Sequence, residues 1–261
     1  MAFIKKCEFC MRIVLFRPLD SMGYCPSCSL RQAEWEKKAE ETKRQKKEIE
    51  SREWEKISNI PSHNIVISEH PCKRQTGYNP TNFSNITPKG KYVDVVIFDV
   101  QTTGLKPSHD RIIEIAAIKY SNGQPISKFH TYVNPECVIP EDAMTVNGIS
   151  DEMVKGSPLI GEVISSFDEF IGSSILVAHN LEFDLKFIYY SGSQVLTTKR
   201  KYIDTLGQAQ RIIKKSEELY GYSLSSLCEY YRIPLLERDP ALSNAFATGR
   251  LFFELVSERQ S

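Results

Sequence analysis

The feature that most restricts the fold is a change of pattern at about Lys91, after which apolar segments of strand length begin. Residues 92–100 and 111–120 are predominantly apolar, which is typical of strands buried within a sheet, and residues 126–135 predict a third strand. A fourth strand is predicted over residues 174–180, between helical segments. This order predicts an α/β domain in which helices pack on a mixed sheet.

Helical patterns precede and follow the fourth strand. One helix is predicted within residues 150–172, and another opens at about Glu182. Three more are predicted near residues 204–215, 223–232 and 241–258. These strands and helices together predict one domain over residues 91–258.

Four cysteines near the N-terminus form two pairs with metal-ligand spacing: Cys7 with Cys10, and Cys25 with Cys28. A gap of two residues lets both thiolates of a pair reach one ion, and two such pairs complete a tetrahedral site. Four thiolates leave no open position for a substrate, so we expect a structural zinc in a zinc-ribbon-like module over residues 1–30. The alternative is four unrelated cysteines that share no ion.

Two further segments separate this module from the domain. Residues 31–58 are rich in helix formers and in Glu–Lys pairs, which predicts a charged helical spacer. Their apolar residues do not sustain a heptad, so a coiled coil is the less favoured alternative. Residues 59–90 mix Pro, Asn, Ser, Thr and Gly without periodicity, which predicts a flexible linker.

The charge balance limits what the whole surface can bind. Lys plus Arg and Asp plus Glu each total 33, so the formal net charge is zero and any nucleic-acid binding has to be local. No apolar run approaches the roughly 20 residues that span a bilayer. We therefore expect a soluble, cytoplasmic protein without a membrane partner.

Three short motifs occur in a characteristic order: "FDVQTTGL", "HNLEFD" and "DPALSNAFAT". Together with "VIPEDAMTVNGISDEMVKGSP", they make residues 91–258 resemble the DnaQ-like exonucleases, which have the RNase H-like fold. The resemblance implies hydrolysis of the terminal phosphodiester at a 3′ end. In that family, two divalent ions, magnesium or manganese, are held by four carboxylates, and a histidine acts as the general base.

The resemblance also assigns five functional positions, and three of them depart from the family pattern. Asp99 and Asp184 keep the acids that would bind metal. Gln101 stands where the family has glutamate, Asp239 where it has the histidine, and Asn244 where it has the last aspartate. The two amides remove two negative charges. An aspartate, with a pKa of about 4, is also a poorer base than histidine, with a pKa of about 6.5. The magnesium or manganese site is therefore expected to be weakened.

Several of these acids also have structural explanations. Asp239 precedes Pro240, which favours a helix N-cap followed by proline in the first turn. Asp184 could stabilise the start of the helix that follows Asn180. Asp204 is expected to cap the helix after it.

The same resemblance assigns contacts to the terminal nucleotides. In the family, the segments "TTGL" and "VNGI" line the bound 3′ end, which suggests nucleic-acid-binding roles for Thr102, Gly104, Leu105 and Asn147. Leu105 would be an apolar wedge between bases. For Gly104 the alternative is a turn that requires positive φ.

Three functions are compatible with the sequence. The favoured one is an exonuclease homologue that binds nucleic acid, single-stranded or at a 3′ end, and has lost most or all hydrolysis. The second is a working metal-dependent 3′–5′ exonuclease with a reduced ligand set. The third is an adaptor that docks a protein partner through the zinc module and the charged helix.

Overall fold

A computed structural model of the 261-residue chain describes residues 5–6, 13–14, 26–69, 71–79, 83–86, 94–213 and 219–259. The chain divides into two compact units, residues 1–53 and residues 54–261. Among the described residues, no helix is both long enough and apolar enough to cross a membrane.

The first unit contains a short antiparallel pair and most of a long helix. Strand β1 (Lys5–Lys6) pairs with β2 (Ile13–Val14), and helix α1 extends over Pro26–Ser58. The helix begins earlier than predicted, at a proline, which is favourable in a first turn because proline lacks the N–H that would be unpaired there. Ion pairs one turn apart, such as Arg52 with Glu48 at 2.7 Å, lie along its exposed surface.

The predicted zinc ligands cannot be compared with this arrangement. Cys7, Cys10 and Cys25 lie outside the described residues, and only the backbone of Cys28 is described, within α1. The zinc-ribbon-like module and the boundaries of the predicted domains stay predictions.

The second unit is built on a six-stranded mixed sheet in the order β3-β8-β7-β4-β5-β6. Its strands are β3 (Phe83–Asn85), β4 (Asp94–Thr102), β5 (Ile112–Ser121), β6 (Gln124–Tyr132), β7 (Ile175–Ala178) and β8 (Arg200–Asp204). Strands β4, β5 and β6 are antiparallel neighbours, whereas β4, β7, β8 and β3 run parallel. The predicted mixed sheet flanked by helices is confirmed.

The described part of the unit also contains seven further helices: α2 (Glu141–Asn147), α3 (Asp151–Val154), α4 (Ile160–Ile171), α5 (Leu181–Tyr190), α6 (Thr205–Ile212), α7 (Leu224–Tyr230) and α8 (Pro240–Glu258). A short 3₁₀ helix covers Val195–Thr197. Helices α6, α7 and α8 correspond to the three helical segments predicted after residue 203.

The alternation of side chains along β4 produces the layers. Val96, Phe98 and Val100 face one side, where they pack with α4 and α5. Val95 and Ile97 face the other side, where α8 and the end of α1 cover them. A strand buried on both faces needs a continuous apolar run, and this run predicts β4 from the sequence.

Strand β8 was not predicted, and neither were β3 and α2. In β8 only Ile203 is buried, and the strand carries Arg200 and Lys201. It therefore has no apolar run, and only pairing with β7 and β3 makes it a strand.

Several residues of the predicted flexible linker make backbone hydrogen bonds to strands and helices. The backbone N–H of His63 donates to Lys128 O at 2.7 Å, that of Cys72 to Gly161 O at 2.7 Å, and that of Gln75 to Tyr190 O at 3.1 Å. Such bonds to strands and helices satisfy the backbone without any periodic pattern of its own. At these residues the segment is therefore hydrogen-bonded to strands and helices of its own unit.

Helix α8 crosses the sheet at very short range. A Cβ at Gly249 would lie 2.5 Å from the Tyr120 hydroxyl and 3.2 Å from Ile97 Cδ1. The Tyr120 hydroxyl is buried and has no hydrogen-bond partner among the described residues. The helix can pack this closely only because the residue at the crossing has no side chain.

Gly249→Ala should destabilise the second unit, because its methyl group would meet the Tyr120 ring and hydroxyl. Overpacking costs about 1–3 kcal/mol, partly offset by the helix propensity of alanine. The melting temperature of the full chain measures the loss. Gly156→Ala is the matched control, since a Cβ there meets no atom within 4 Å.

Tyr120→Phe should separate the two effects at this crossing. It removes a buried, unpaired hydroxyl, which is expected to stabilise the chain by about 1 kcal/mol. It also makes room, so Gly249→Ala should cost less in the Tyr120→Phe background. If Gly249→Ala destabilised the chain equally in both backgrounds, the Tyr120 hydroxyl would not be what the added methyl group meets.

Candidate active site

The sheet brings the two acids of the predicted site, Asp99 and Asp184, together. Asp99 lies near the end of β4, and α5, which carries Asp184, begins just after the parallel neighbour β7. Parallel strands end at the same edge, so the two side chains meet there. Asp184 is 3% exposed and its Oδ1 accepts a hydrogen bond from the Val100 N–H at 3.0 Å. This bond to β4 shows that Asp184 serves more than the start of its own helix.

Two amide side chains converge on Asp99. Gln101 Nε2 donates to Asp99 Oδ2 at 2.6 Å, and Asn244 Nδ2 donates to the same oxygen at 3.3 Å. The predicted positions Asp99, Gln101, Asp184 and Asn244 therefore form one cluster. The amides act on Asp99 as donors, whereas carboxylates at the same positions could act only as acceptors when ionised.

Burial dominates the acid chemistry of this cluster. It raises the pKa of Asp99 well above its ordinary value, and the neighbouring Asp184 raises it further, against the lowering effect of the Asn244 hydrogen bond. Burial also raises the pKa of Asp184 to about 8, although the Val100 N–H lowers it. The pair is therefore expected to keep at least one proton near neutral pH.

The donor set fits a divalent ion only in part. Asp99 and Asp184 offer the hard carboxylate oxygens that magnesium or manganese prefers. Gln101 and Asn244 would have to turn their amide oxygens towards such an ion and give up their bonds to Asp99. The cluster thus supplies two carboxylates for the four of the family pattern.

His179 lies beside this cluster but is held in a structural role. Its Nε2 is 2.9 Å from Tyr222 O, and its Nδ1 is 3.0 Å from Thr205 Oγ1. Nε2 must carry a proton to donate to the carbonyl. Burial lowers the pKa of His179, and with both nitrogens engaged it is poorly placed to take up a proton from a substrate.

A cleft of about 800 Å³ opens over these groups. Its lining residues come from β4, α2, the loop before α5, α6, the loop before α7 with the first residue of α7, and α8. They include Asp99, His179, Asn180, Leu206, Tyr222 and Asn244. Asp204 lies just below: its Oδ1 accepts from the Leu206 N–H at 3.1 Å, which confirms the predicted cap of α6, and from the Asn180 N–H at 3.0 Å.

Asp239 does not do what the sequence suggested. It precedes α8, with Pro240 in the first turn, but its side chain makes no capping bond, and its backbone is left-handed at φ 42° and ψ 66°. A capping side chain needs an extended backbone at that position. Instead, Tyr132 donates its hydroxyl proton to Asp239 Oδ1 at 2.7 Å.

The same residue opens onto a neighbouring cleft. Asp239 lines a second cleft of about 540 Å³, together with Tyr132, Asn147 and Met153. Asp99 and Asn244 line the first cleft, and Val146 lines both. The Asp239 side chain thus binds Tyr132 and lines the cleft that adjoins the one over Asp99.

The four predicted nucleic-acid contacts lie close together, but their polar groups are largely used within the protein. Thr102 donates its hydroxyl proton to Gly104 O at 2.7 Å, and Asn147 Nδ2 donates to Thr102 O at 2.9 Å. Leu105 is 82% exposed. Gly104 does not have positive φ; a Cβ there would lie 2.5 Å from Asp110 Oδ2. The need for glycine is thus a close approach by Asp110.

Sequence reasoning missed three residues that the structure brings to Asp239: Glu114, His130 and Tyr132. Glu114 is fully buried, its Oε1 lies 2.8 Å from His130 Nε2, and its Oε2 accepts from the Ala241 N–H at 3.0 Å. Glu114, rather than Asp239, therefore caps α8. The one available signal was a lone acid inside the apolar run of residues 111–120.

Comparison with known families agrees with this architecture. A family model described as "Exonuclease" matches residues 96–252, more than half of the chain. The chain belongs to this exonuclease family. The prediction of a DnaQ-like exonuclease domain with the RNase H-like fold is thereby confirmed.

Curated relatives of this exonuclease-family chain include large polymerases. It is 36% identical over 168 residues to the PolC-type DNA polymerase III of Caldanaerobacter subterraneus, and 35% identical over 166 residues to that of Bacillus subtilis. The matches cover 64% and 62% of this chain but only 12% and 11% of the relatives.

Solved structures share the fold of this exonuclease-family chain at lower identity. Exonuclease X in complex with 5′ overhanging duplex DNA aligns with a TM-score of 0.52 and 23% identity, over 65% of this chain and 94% of that one. E. coli exonuclease I in complex with a dT13 oligonucleotide aligns with a TM-score of 0.55 and 17% identity, over 65% and 42%.

Asp184→Asn should make stability less dependent on pH. The raised pKa means that the protonated acid stabilises the fold; this contribution is complete below about pH 4 and is lost as the pH rises through about 8. Asparagine keeps the acceptor for the Val100 N–H and does not titrate. The melting temperature of the variant relative to the native chain should rise by at least about 4 °C between pH 5 and pH 8, without added magnesium or manganese. Asp142→Asn, on the exposed surface of α2, is the control. A constant difference would contradict the burial effect.

Proposed function

We propose that this chain binds nucleic acid, single-stranded or at a 3′ end, in the cleft over Asp99, and that its hydrolytic activity is weak or lost. One observation carries the second half of the proposal. The amide N–H groups of Gln101 and Asn244 both donate hydrogen bonds to Oδ2 of Asp99, and a metal site would depend on this carboxylate.

Charge is the physical reason for the loss. The family reaction needs a divalent ion, which polarises the phosphodiester and lowers the pKa of attacking water when bound. Asp99 and Asp184 would hold such an ion here. The amides of Gln101 and Asn244 offset part of the cost of burying the Asp99 carboxylate, but they supply no positive charge for the phosphate. Asp239 binds Tyr132, so no base takes the place of the family histidine.

The binding half of the proposal is supported by the cleft and by the family. The cleft of about 800 Å³ is in the range of sites for nucleotide-sized ligands. Two exposed apolar side chains, Leu105 and Val146, offer surfaces against which bases could pack. Two structures with the same fold hold a DNA duplex with an overhang and an oligonucleotide.

A working exonuclease remains the second candidate for the same cleft. The observation in its favour is that Asp99 and Asp184 both persist and adjoin at the end of β4. An ion bound by these two carboxylates would supply the family chemistry at reduced affinity.

The N-terminal module is proposed to hold one structural zinc through Cys7, Cys10, Cys25 and Cys28, and to serve with α1 as a docking arm for a protein partner. The spacing of the thiolates supports the zinc, and the exposed charged surface of α1 supports a solvent-facing arm. Elemental analysis of the purified chain that found no zinc would sink this part of the proposal.

Restoring the family residues should restore hydrolysis. The variant with Gln101→Glu, Asn244→Asp and Asp239→His regains two charges and a histidine base, which alone is worth about 100-fold or more. With magnesium or manganese, release of mononucleotides from 3′ ends of labelled DNA or RNA should be at least about 100-fold faster than for the native chain. Adding Asp99→Ala to this variant should abolish the gain. Native activity within tenfold of the variant, lost on Asp99→Ala alone, would establish the working exonuclease instead.

Binding can be tested at the rim of the cleft. Val146→Glu adds a negative charge at an 83% exposed residue that lines the cleft, so it should weaken single-stranded oligonucleotide binding about fivefold by repulsion. Val138→Glu is the matched control, because Val138 is 79% exposed and lines neither described cleft. Fluorescence anisotropy at low salt measures both. If the native chain shows no binding at low salt, the adaptor hypothesis replaces this one.

A further inference from the structure

Three side chains from separate parts of the sequence meet at the start of α8. Glu114 lies on β5, His130 on the neighbouring β6, and Asp239 in the loop before the helix. One oxygen of each carboxylate and one ring nitrogen of the histidine all lie within 4.8 Å of one another. Strand pairing sets Glu114 opposite Tyr132 and His130 opposite Ala116, so Glu114 and His130 are diagonal neighbours on one face.

We propose that Glu114, His130 and Asp239 bind one divalent first-row transition-metal ion, of the zinc or manganese class. An imidazole nitrogen with two carboxylate oxygens is a donor set that these ions accept readily, whereas magnesium and calcium prefer oxygen alone. These ligands are different residues from the acids Asp99 and Asp184, although Glu114 pairs across the sheet with Gln101, two residues from Asp99.

The distances are those of a site that closes with small movements. Donor atoms around an ion with bonds of about 2.0–2.2 Å lie about 3–4 Å apart. Glu114 Oε1 and His130 Nε2 are 2.8 Å apart, and the widest separation in the group is below 4.8 Å. Shifts of less than about 1 Å would let one ion replace the direct contact between Glu114 Oε1 and His130 Nε2.

Neighbouring groups already orient the two carboxylates. Tyr132 donates to Asp239 Oδ1 at 2.7 Å, and the Ala241 N–H donates to Glu114 Oε2 at 3.0 Å. Each carboxylate keeps its other oxygen for an ion. Donors that fix the second oxygen of a ligating carboxylate are typical of metal sites and tune their affinity.

The cluster also has a route to solvent. Asp239 and Tyr132 line the second cleft, of about 540 Å³, and the His130 side chain is 21% exposed. An ion could enter through this cleft and keep a water molecule on its open side. Glu114 behind it is fully buried, which makes the inner side of the site dry.

The proposed ion would join β5, β6 and the start of α8. The same helix carries Asn244 to Asp99, so the ion would help to fix that contact as well. It also gives Asp239 a role that requires no proton transfer. This proposal does not depend on whether the first cleft binds or cleaves nucleic acid.

The test uses the full chain with Asp99→Asn and Asp184→Asn, so that the first cleft binds no ion, and with one equivalent of zinc per chain, which the four thiolates bind in preference. Manganese is then titrated by calorimetry. We expect one further manganese ion per chain, and nitrogen hyperfine coupling from its histidine ligand in pulsed electron paramagnetic resonance. His130→Gln should remove the coupling and weaken binding at least about tenfold. His109→Gln, at an exposed loop histidine, is the matched control and should change neither.

Two further variants keep the result decisive if His130→Gln is unstable. Asp239→Asn removes a partly exposed ligand, and Tyr132→Phe removes only the hydroxyl that orients it; both should weaken manganese binding by about tenfold or more. The proposal is overturned if the parent chain binds no manganese with a Kd below about 1 mM. It is also overturned if binding occurs without nitrogen coupling, or unchanged in Asp239→Asn, since either result places the ion elsewhere.

Discussion

A buried carboxylate, Glu114, joins the sheet to the helix on which much of the candidate site depends. It is fully buried on β5, and its two oxygens bind His130 on β6 and the Ala241 N–H at the start of α8. A buried carboxylate is costly unless both oxygens are paired, so this arrangement fixes where α8 begins. The helix then crosses β4 and β5 at the short range that Gly249 permits, and it carries Asn244 to Asp99.

Around Asp99 the protein keeps the burial of a metal site while replacing part of its charge. Asp99 on β4 and Asp184 on α5 have raised pKa values because burial removes them from water. Gln101 and Asn244 then offer N–H groups where the family pattern has negative oxygens. An amide donor offsets part of the cost of burying a carboxylate without an ion. In the proposed function, the fold accommodates the two amides, whereas the phosphodiester chemistry that needs a cation is weakened or lost.

The relocation of Asp239 follows from the same geometry. Its backbone is left-handed, and its side chain binds Tyr132 instead of capping the first turn of α8. Two clefts thus adjoin at Val146. One lies over Asp99, and the other is lined by Asp239 of the cluster with Glu114 and His130. A residue that aligns with a family base has joined a different group of side chains.

The sequence by itself determined the parts of this protein that depend on local pattern. Strands β4 and β5 are apolar on both faces, Asp204 caps the next helix from an adjacent position, and the ordered motifs identified the family and the cluster of Asp99, Gln101, Asp184 and Asn244. Only the tertiary structure decided what depends on distant partners. Strand β8 exists because two neighbours pair with it, and the cap of α8 comes from Glu114, more than a hundred residues earlier in the chain. A periodic pattern reports which face of an element is buried, but the partner of a polar side chain is set by packing between elements far apart in the chain.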